Sequence, residues 1–220
     1  MTIPEADVLF EDNHLLALWK PAGMLTMGDE TGDITMVDVA REYLRVKYHK
    51  PGNIYVGVVH RLDRPVSGVL LFARTSKAAA RLSDQFRRNA IQKTYRAVVE
   101  GTPPTTEAEL TDWLLKDKDV NVVSVVDQSI SGAQKCVLRY RVVEKQSGLS
   151  QLDIQPLTGR SHQIRVQLAN QELPIVGDGK YGSTIRRGGR IALHAMTLEF
   201  EHPTLKTPVR IEAPIPADLA

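Results

Sequence analysis

The sequence holds a single cysteine, Cys136, in 220 residues. One thiol can build neither an internal disulfide nor a cysteine-rich zinc site, so a reducing cytoplasm is the expected setting. No apolar run is long enough to span a bilayer. Residues 1–12 carry Glu5, Asp7, Glu11 and Asp12 and no Lys or Arg, so no secretory signal is expected. Internal repeats and low-complexity tracts are also missing. Net charge is small, with 28 Lys/Arg against 26 Asp/Glu, and by itself selects no partner. What is present is ordinary: 42% hydrophobic and 25% charged residues fit a globular protein with a sizeable core.

The distribution of charge says more than its sum. Residues 1–59 hold five Lys/Arg and nine Asp/Glu, whereas residues 60–96 hold nine and two. The middle segment is a basic island that a polyanion would be drawn to; a solvated face with counterions fits the same count.

Residues 8–10 and 15–19 read as short strands about the turn Glu11-Asp12-Asn13-His14. Val37, Ala40, Leu44 and Tyr48 recur at helical spacing until Pro51-Gly52. Residues 69–73 form a buried strand, Ser76 caps a second helix with the stripe Ala79, Leu82, Phe86 and Ala90, and residues 94–100 are β-rich. Further β-like runs cover 120–126, 136–143, 149–155, 191–194 and 197–200. Strands outnumber helices without alternating with them, which predicts an α+β fold on a mainly antiparallel sheet. A single domain over 1–220 is expected, with the loop 101–107 the one place a subdomain crossing fits.

Three segments could carry chemistry. His60-Arg61-Leu62-Asp63-Arg64-Pro65-Val66-Ser67-Gly68 packs an acid, two guanidiniums, an imidazole and a hydroxyl into a loop before a buried strand. It also fits an Asp that merely ties down its own turn. Thr158-Gly159-Arg160-Ser161-His162-Gln163-Ile164-Arg165-Val166-Gln167-Leu168 reads either as a short helix capped by Ser161 or, from the alternation of Ile164, Val166 and Leu168, as a strand. Lys93-Thr94-Tyr95-Arg96 places an aromatic between cations, which suits base stacking and phosphate contact as well as it suits core packing.

The first of these segments resembles the catalytic motif of RluA-type pseudouridine synthases. Lys20-Pro21-Ala22-Gly23 is similar to that family's first motif and Lys93-Thr94-Tyr95-Arg96-Ala97-Val98-Val99-Glu100-Gly101 to its tyrosine motif. Thr158 to Leu168, followed by Gly177-Asp178 and Tyr181-Gly182, is similar to its arginine motif, and Leu193-His194-Ala195 to its C-terminal signature. The matches occur in family order. They imply a mixed, mainly antiparallel sheet with flanking helices and a central catalytic cleft. They also imply isomerisation of uridine in structured RNA, transfer or ribosomal, with no cofactor and no metal.

By the same resemblance Asp63 is the catalytic carboxylate, Tyr95 stacks on the target base, and Arg165 is the arginine that pairs with the aspartate. Arg61 fills the gap left by the uridine when it leaves its helix. His60, Lys93, Arg160 and His162 are further RNA-binding candidates, and Ile164 and Leu168 candidate walls of the base pocket. Val66 stands where the family more often has Thr, and Gln167 where a His is frequent; both departures point to RNA contacts rather than to catalysis. The first motif lies so near residue 1 that no S4-like RNA-binding domain is expected before it. A monomer is expected, since all the motifs lie in one chain.

Rival readings are weak. Gly177-Asp178-Gly179-Lys180-Tyr181-Gly182 is a literal GxGxxG, but no helix start follows it. A glycoside hydrolase needs a second carboxylate that no motif segment offers. An RNA-binding protein that has lost its chemistry is the alternative of a different class; it would have no need of Tyr95 and Arg165 beside Asp63.

Overall fold

The computed structural model describes residues 4–29, 31–117 and 119–219. In chain order its elements are β1 (Val8–Glu11), β2 (Leu15–Lys20), α1 (Met36–Lys47), β3 (Gly57–Val58), β4 (Ser67–Ala73), α2 (Ser76–Arg87), β5 (Gln92–Glu100), β6 (Glu107–Asp117), β7 (Val122–Val125), β8 (Gln134–Gln146), β9 (Leu149–Pro156), α3 (Gln163–Asn170), β10 (Leu193–Glu201) and β11 (Pro208–Glu212). The expected α+β class is the observed one, and the strand pairs with a described register are antiparallel. The chain divides into two compact units: residues 1–92 with 195–214, and residues 93–194 with 215–220. The division therefore falls at the start of β5 and within β10, while the loop 101–107 joins two strands of the second unit.

The first unit is built on the strand order β1-β2-β4-β10, with β3 on β4 and β11 on β10. All seven residues of β4 are buried, because the run Ser-Gly-Val-Leu-Leu-Phe-Ala has no polar face to offer water. Leu15, Ala17, Val69, Leu71 and Ala73 form one core with Ala78 and Leu82 of α2 and with Leu198, Phe200 and Ile211. Gly68 opens β4 at φ +123°, and a Cβ there would lie 2.2 Å from the carbonyl oxygen of Ala195, so only glycine fits. Thr35 and Asp38 close a reciprocal capping box on α1. The cap of α2 is Thr75, one residue before the expected Ser76; its hydroxyl accepts from the amide of Ala78 at 3.2 Å.

Glu11 ties β1 to α1. Its carboxylate accepts from Lys47, Tyr43 and Tyr48, each at 2.6 Å, and from Arg74 at 2.9 Å. Burial would raise its pKa, but the bonds from Lys47, Tyr43 and Tyr48 outweigh that and hold it at about 2. A carboxylate whose folded pKa lies below its unfolded value stabilises the fold above the unfolded value and loses that contribution as pH falls through the folded one. Glu11→Gln should therefore cost about 2 kcal/mol at neutral pH. In urea titrations the gap to wild type should close between pH 4.5 and about 2; a gap independent of pH would show that the charge of Glu11 contributes nothing.

The second unit has the order β5-β9-β8-β6-β7. The sequence reading misses β6, since Glu107-Ala108-Glu109 is a poor strand former. Cross-strand charge compensates: Glu109 receives Arg139 at 2.8 Å, and on the same sheet face Asp153 receives Arg96 at 2.7 Å and Arg141 at 3.4 Å. The runs 191–194 and 197–200 belong mostly to one strand, β10; β3, at two residues, is too short to be read in sequence, and β11 is not expected from it. Residues 163–170 are helical, which settles the choice between helix and strand.

Candidate active site

In the first unit, Asp63 sits in the loop between β3 and β4, and the backbone on both sides of it is fastened. The hydroxyl of Thr26 donates to the carbonyl of Leu62 at 2.9 Å and accepts from its amide at 3.2 Å. The carbonyl of Arg64 accepts from the amide of Gly23 at 2.7 Å, and the Arg64 guanidinium returns to the Gly23 carbonyl at 3.0 Å and to Asp33 at 2.7 Å. The amide of Val66 closes the turn on the Asp63 carbonyl at 3.1 Å. Arg61 is exposed and Asp63 partly so.

Beneath this loop lies Lys20, which has no exposed surface. Its Nζ donates to the carbonyls of Pro21 at 2.9 Å, Arg64 at 3.1 Å and Val66 at 2.7 Å. Burial pulls its pKa down to about 7; the Asp63 carboxylate works against that shift and Arg64 adds to it. A buried ammonium thus holds the loop from behind and is electrostatically coupled to the carboxylate the loop presents. The sequence reading recognised the motif and missed this role. One signal was available: Leu16, Leu18 and Lys20 share one face of β2, and a lysine on a core face needs partners.

In the second unit, Tyr95 on β5 pairs with Ile154 on β9, which pairs with Tyr140 on β8, so all three project from one sheet face. Cys136, four residues before Tyr140, shares that face and packs with Val166 of α3. Tyr95 and Arg165 therefore belong to the same side of this sheet. Arg165 is 6% exposed, makes a bidentate pair with Asp178 at 2.7 and 2.9 Å, and lies 4.9 Å from the ring centre of Tyr181. The Tyr181 hydroxyl accepts from the amide of Val123 at 3.1 Å and lies 2.6 Å from Nδ1 of His162. Asp178 and Tyr181 were legible only as motif letters, because their partners are distant in sequence.

The other candidates fall into different places. His60 accepts the Leu71 amide on Nε2 at 2.9 Å and stacks on Phe86 with centroids 4.8 Å apart; these contacts are structural. Lys93 is largely buried, which lowers its pKa, and its Nζ is 3.4 Å from the Thr158 carbonyl. Arg160 is exposed, with Nε on the Lys135 carbonyl at 3.2 Å. His162 occupies the left-handed region at φ +52° as the N-cap of α3. Ile164 keeps 7% of its surface, while Leu168 keeps none and is a core residue. The basic island is mostly spent on internal partners: Arg64 on Asp33, Arg74 on Glu11, Arg87 and Arg88 on Asp84, Arg96 on Asp153, and Arg81 on the Pro203 carbonyl. Its remaining exposed cations are Arg61 and Lys77.

Val66 and Gln167 are corrected as well. Both are buried, at 3% and 0% exposure, so neither reaches RNA. Gln167 belongs to an amide ladder under α3. Gln163 accepts from the Thr158 hydroxyl at 2.8 Å and the Arg160 amide at 3.0 Å, and donates to the Val137 carbonyl and to Gln167, both at 3.0 Å. Gln167 donates on to the Leu110 carbonyl at 3.2 Å and Asp112 at 2.8 Å. Gln167→Leu would strand several of these groups and should lower unfolding stability by about 2 kcal/mol. Chemical denaturation measures this; an unchanged stability would mean the ladder holds nothing.

The model of the RNA pseudouridylate synthase family matches residues 14–170. The chain is 34% identical over 221 residues to the uncharacterized RNA pseudouridine synthase YhcT of Bacillus subtilis, covering 98% of this chain and 70% of that protein. It is 36% identical over 234 residues to the ribosomal large subunit pseudouridine synthase D of Xanthomonas campestris, covering 97% and 67%. To the tRNA pseudouridine synthase C of Vibrio cholerae it is 31% identical over 226 residues, covering 94% and 90%. The fold matches that of human RNA pseudouridylate synthase domain containing 4 with a TM-score of 0.80 at 22% identity, covering 97% of this chain and 90% of that one. The chain belongs to the RNA pseudouridylate synthase family, whose members isomerise uridine in RNA to pseudouridine.

Proposed function

We propose that this enzyme acts in the cytoplasm on a single class of uridine in structured ribosomal or transfer RNA, with Asp63 as its catalytic carboxylate. The observation that carries the reading is the loop around Asp63. Thr26, Gly23 and Lys20 fix the backbone at Leu62, Arg64 and Val66, and the residue between them presents a carboxylate. A carboxylate can stabilise or trap an electron-poor centre while the N1 glycosidic bond breaks, and is released as the turned uracil bonds to the ribose through C5, which then gives up its proton while N1 gains one. The target must come out of its helix for this, and Arg61, exposed two residues before Asp63, fills the vacancy. Tyr95 stacks on the uracil, and Arg165 is the family's arginine. Relatives named for the ribosomal large subunit and for tRNA support both substrate classes.

The test is a map of pseudouridine across ribosomal and transfer RNA from cells with and without the gene. One site lost, and restored by wild type but not by Asp63→Asn, is the expected result. No site lost, together with RNA binding by the purified protein, would establish the non-catalytic RNA-binding reading instead.

A further inference from the structure

The first unit has a concave feature at the end of the β2–β4 pair away from Asp63. Lys20 pairs with Gly68 at the catalytic-loop end, and Leu15 with Ala73 at the other. Five strand residues separate the two ends, roughly 17 Å. Beyond Leu15 and Ala73 lies a cavity of about 380 Å³ lined by residues of α1, the loop after it, and the turn before α2; Tyr48, Lys50, Asn53, Tyr55 and Arg74 give it its character.

We infer that this cavity is an accessory RNA-binding site that takes an unstacked nucleotide of the substrate, its base on Tyr55 and its phosphate near Lys50. The inference rests on the proposed RNA substrate and adds a contact outside the catalytic loop. Tyr55 is 49% exposed, and its hydroxyl lies over Gly57: a Cβ at position 57 would sit 2.9 Å from it. The missing side chain seats the hydroxyl end and leaves half of the residue open, which is what a stacking platform requires. Tyr48 forms a fixed wall. Its hydroxyl is bound to Glu11 at 2.6 Å, and the Arg74 guanidinium covers its ring at 4.7 Å. Asn53 offers an amide that can donate to and accept from a base edge.

The charge is right for the same occupant. Of the four cations in residues 41–50, Arg41 lies 4.0 Å from Asp38, Arg45 pairs with Glu42 and Lys47 pairs with Glu11 at 2.6 Å, which leaves Lys50 for a ligand. Lys50 lies 5.6 Å from the Tyr48 ring centre and, among the described residues, has no carboxylate at ion-pair distance. A pocket that accepted an apolar segment of another protein would not be lined by an unpaired lysine as well as an exposed tyrosine.

The experiment uses the full chain with unmodified transcripts of ribosomal and transfer RNA, and measures both the dissociation constant and single-turnover pseudouridine formation. Tyr55→Ala should weaken binding about tenfold, with the rate at saturating RNA unchanged. Lys50→Ala, on the rim, should reduce the slope of log Kd against log salt by about 0.7. If both variants bind as wild type does, or if they lower only the saturated rate, the site is overturned while the catalytic reading stands. If wild type forms no pseudouridine but its RNA affinity still depends on Tyr55 and Lys50, the site stands and the catalytic reading falls.

Discussion

Asp63→Asn should lower single-turnover pseudouridine formation by at least about 10⁴-fold and leave RNA affinity within about threefold of wild type. The substitution keeps shape and removes charge. A neutral amide neither attacks an electron-poor carbon nor leaves one at a useful rate, so the chemical step fails. Binding survives because the loop is fastened through the backbones of Leu62, Arg64 and Val66, none of which the substitution alters. Asp63→Ala guards against slow reversion of the amide to the acid, and should be as inactive. Turnover within a factor of about a hundred of wild type in both variants would remove Asp63 from the chemistry and leave the bland alternative, an acid that organises its own turn.

How much of this was legible depends on how local each cause is. The loop around Asp63 could be read because its residues are contiguous, and β4 because the apolar run at residues 69–73 leaves no other place for it. Residues 163–170 could not be settled, since all of positions 163–168 are buried and a segment buried all round shows neither period cleanly. Gln167 looked like a surface departure and is instead the middle rung of a buried amide ladder, a fact that depends on Asp112 and Leu110 from another strand. The basic island is less basic in the fold than in the count for a related reason. Charge counted along the chain ignores where the acids come from, and Asp33, Glu11 and Asp153 arrive from outside the segment to neutralise it. The exposed cation that remains near an open aromatic, Lys50, lies inside the block whose total is acidic.

Lys20 offers the sharpest separation of fold from function. Lys20→Met keeps the length of the side chain and removes every donor to the carbonyls of Pro21, Arg64 and Val66. Each lost bond is worth about 1 kcal/mol, but taking an ammonium out of water costs several, so the two nearly cancel. The balance depends on pH in a defined sense. The folded pKa of about 7 lies below the free value of 10.5, so the stabilisation tied to this group is complete above 10.5 and is lost as pH falls toward 7. The destabilisation by Lys20→Met should therefore be largest near pH 10 and shrink to within about 1 kcal/mol of wild type near pH 7. Activity should not follow that recovery. With the carbonyls of Arg64 and Val66 released, the turn that presents Asp63 loses its anchor, and the single-turnover rate at pH 7 should fall about 10³-fold with RNA affinity retained. A variant as stable as wild type and equally active would show that Lys20 is a core contact only. One as stable and inactive would show that this buried ammonium is kept for the position of the carboxylate rather than for the stability of the fold.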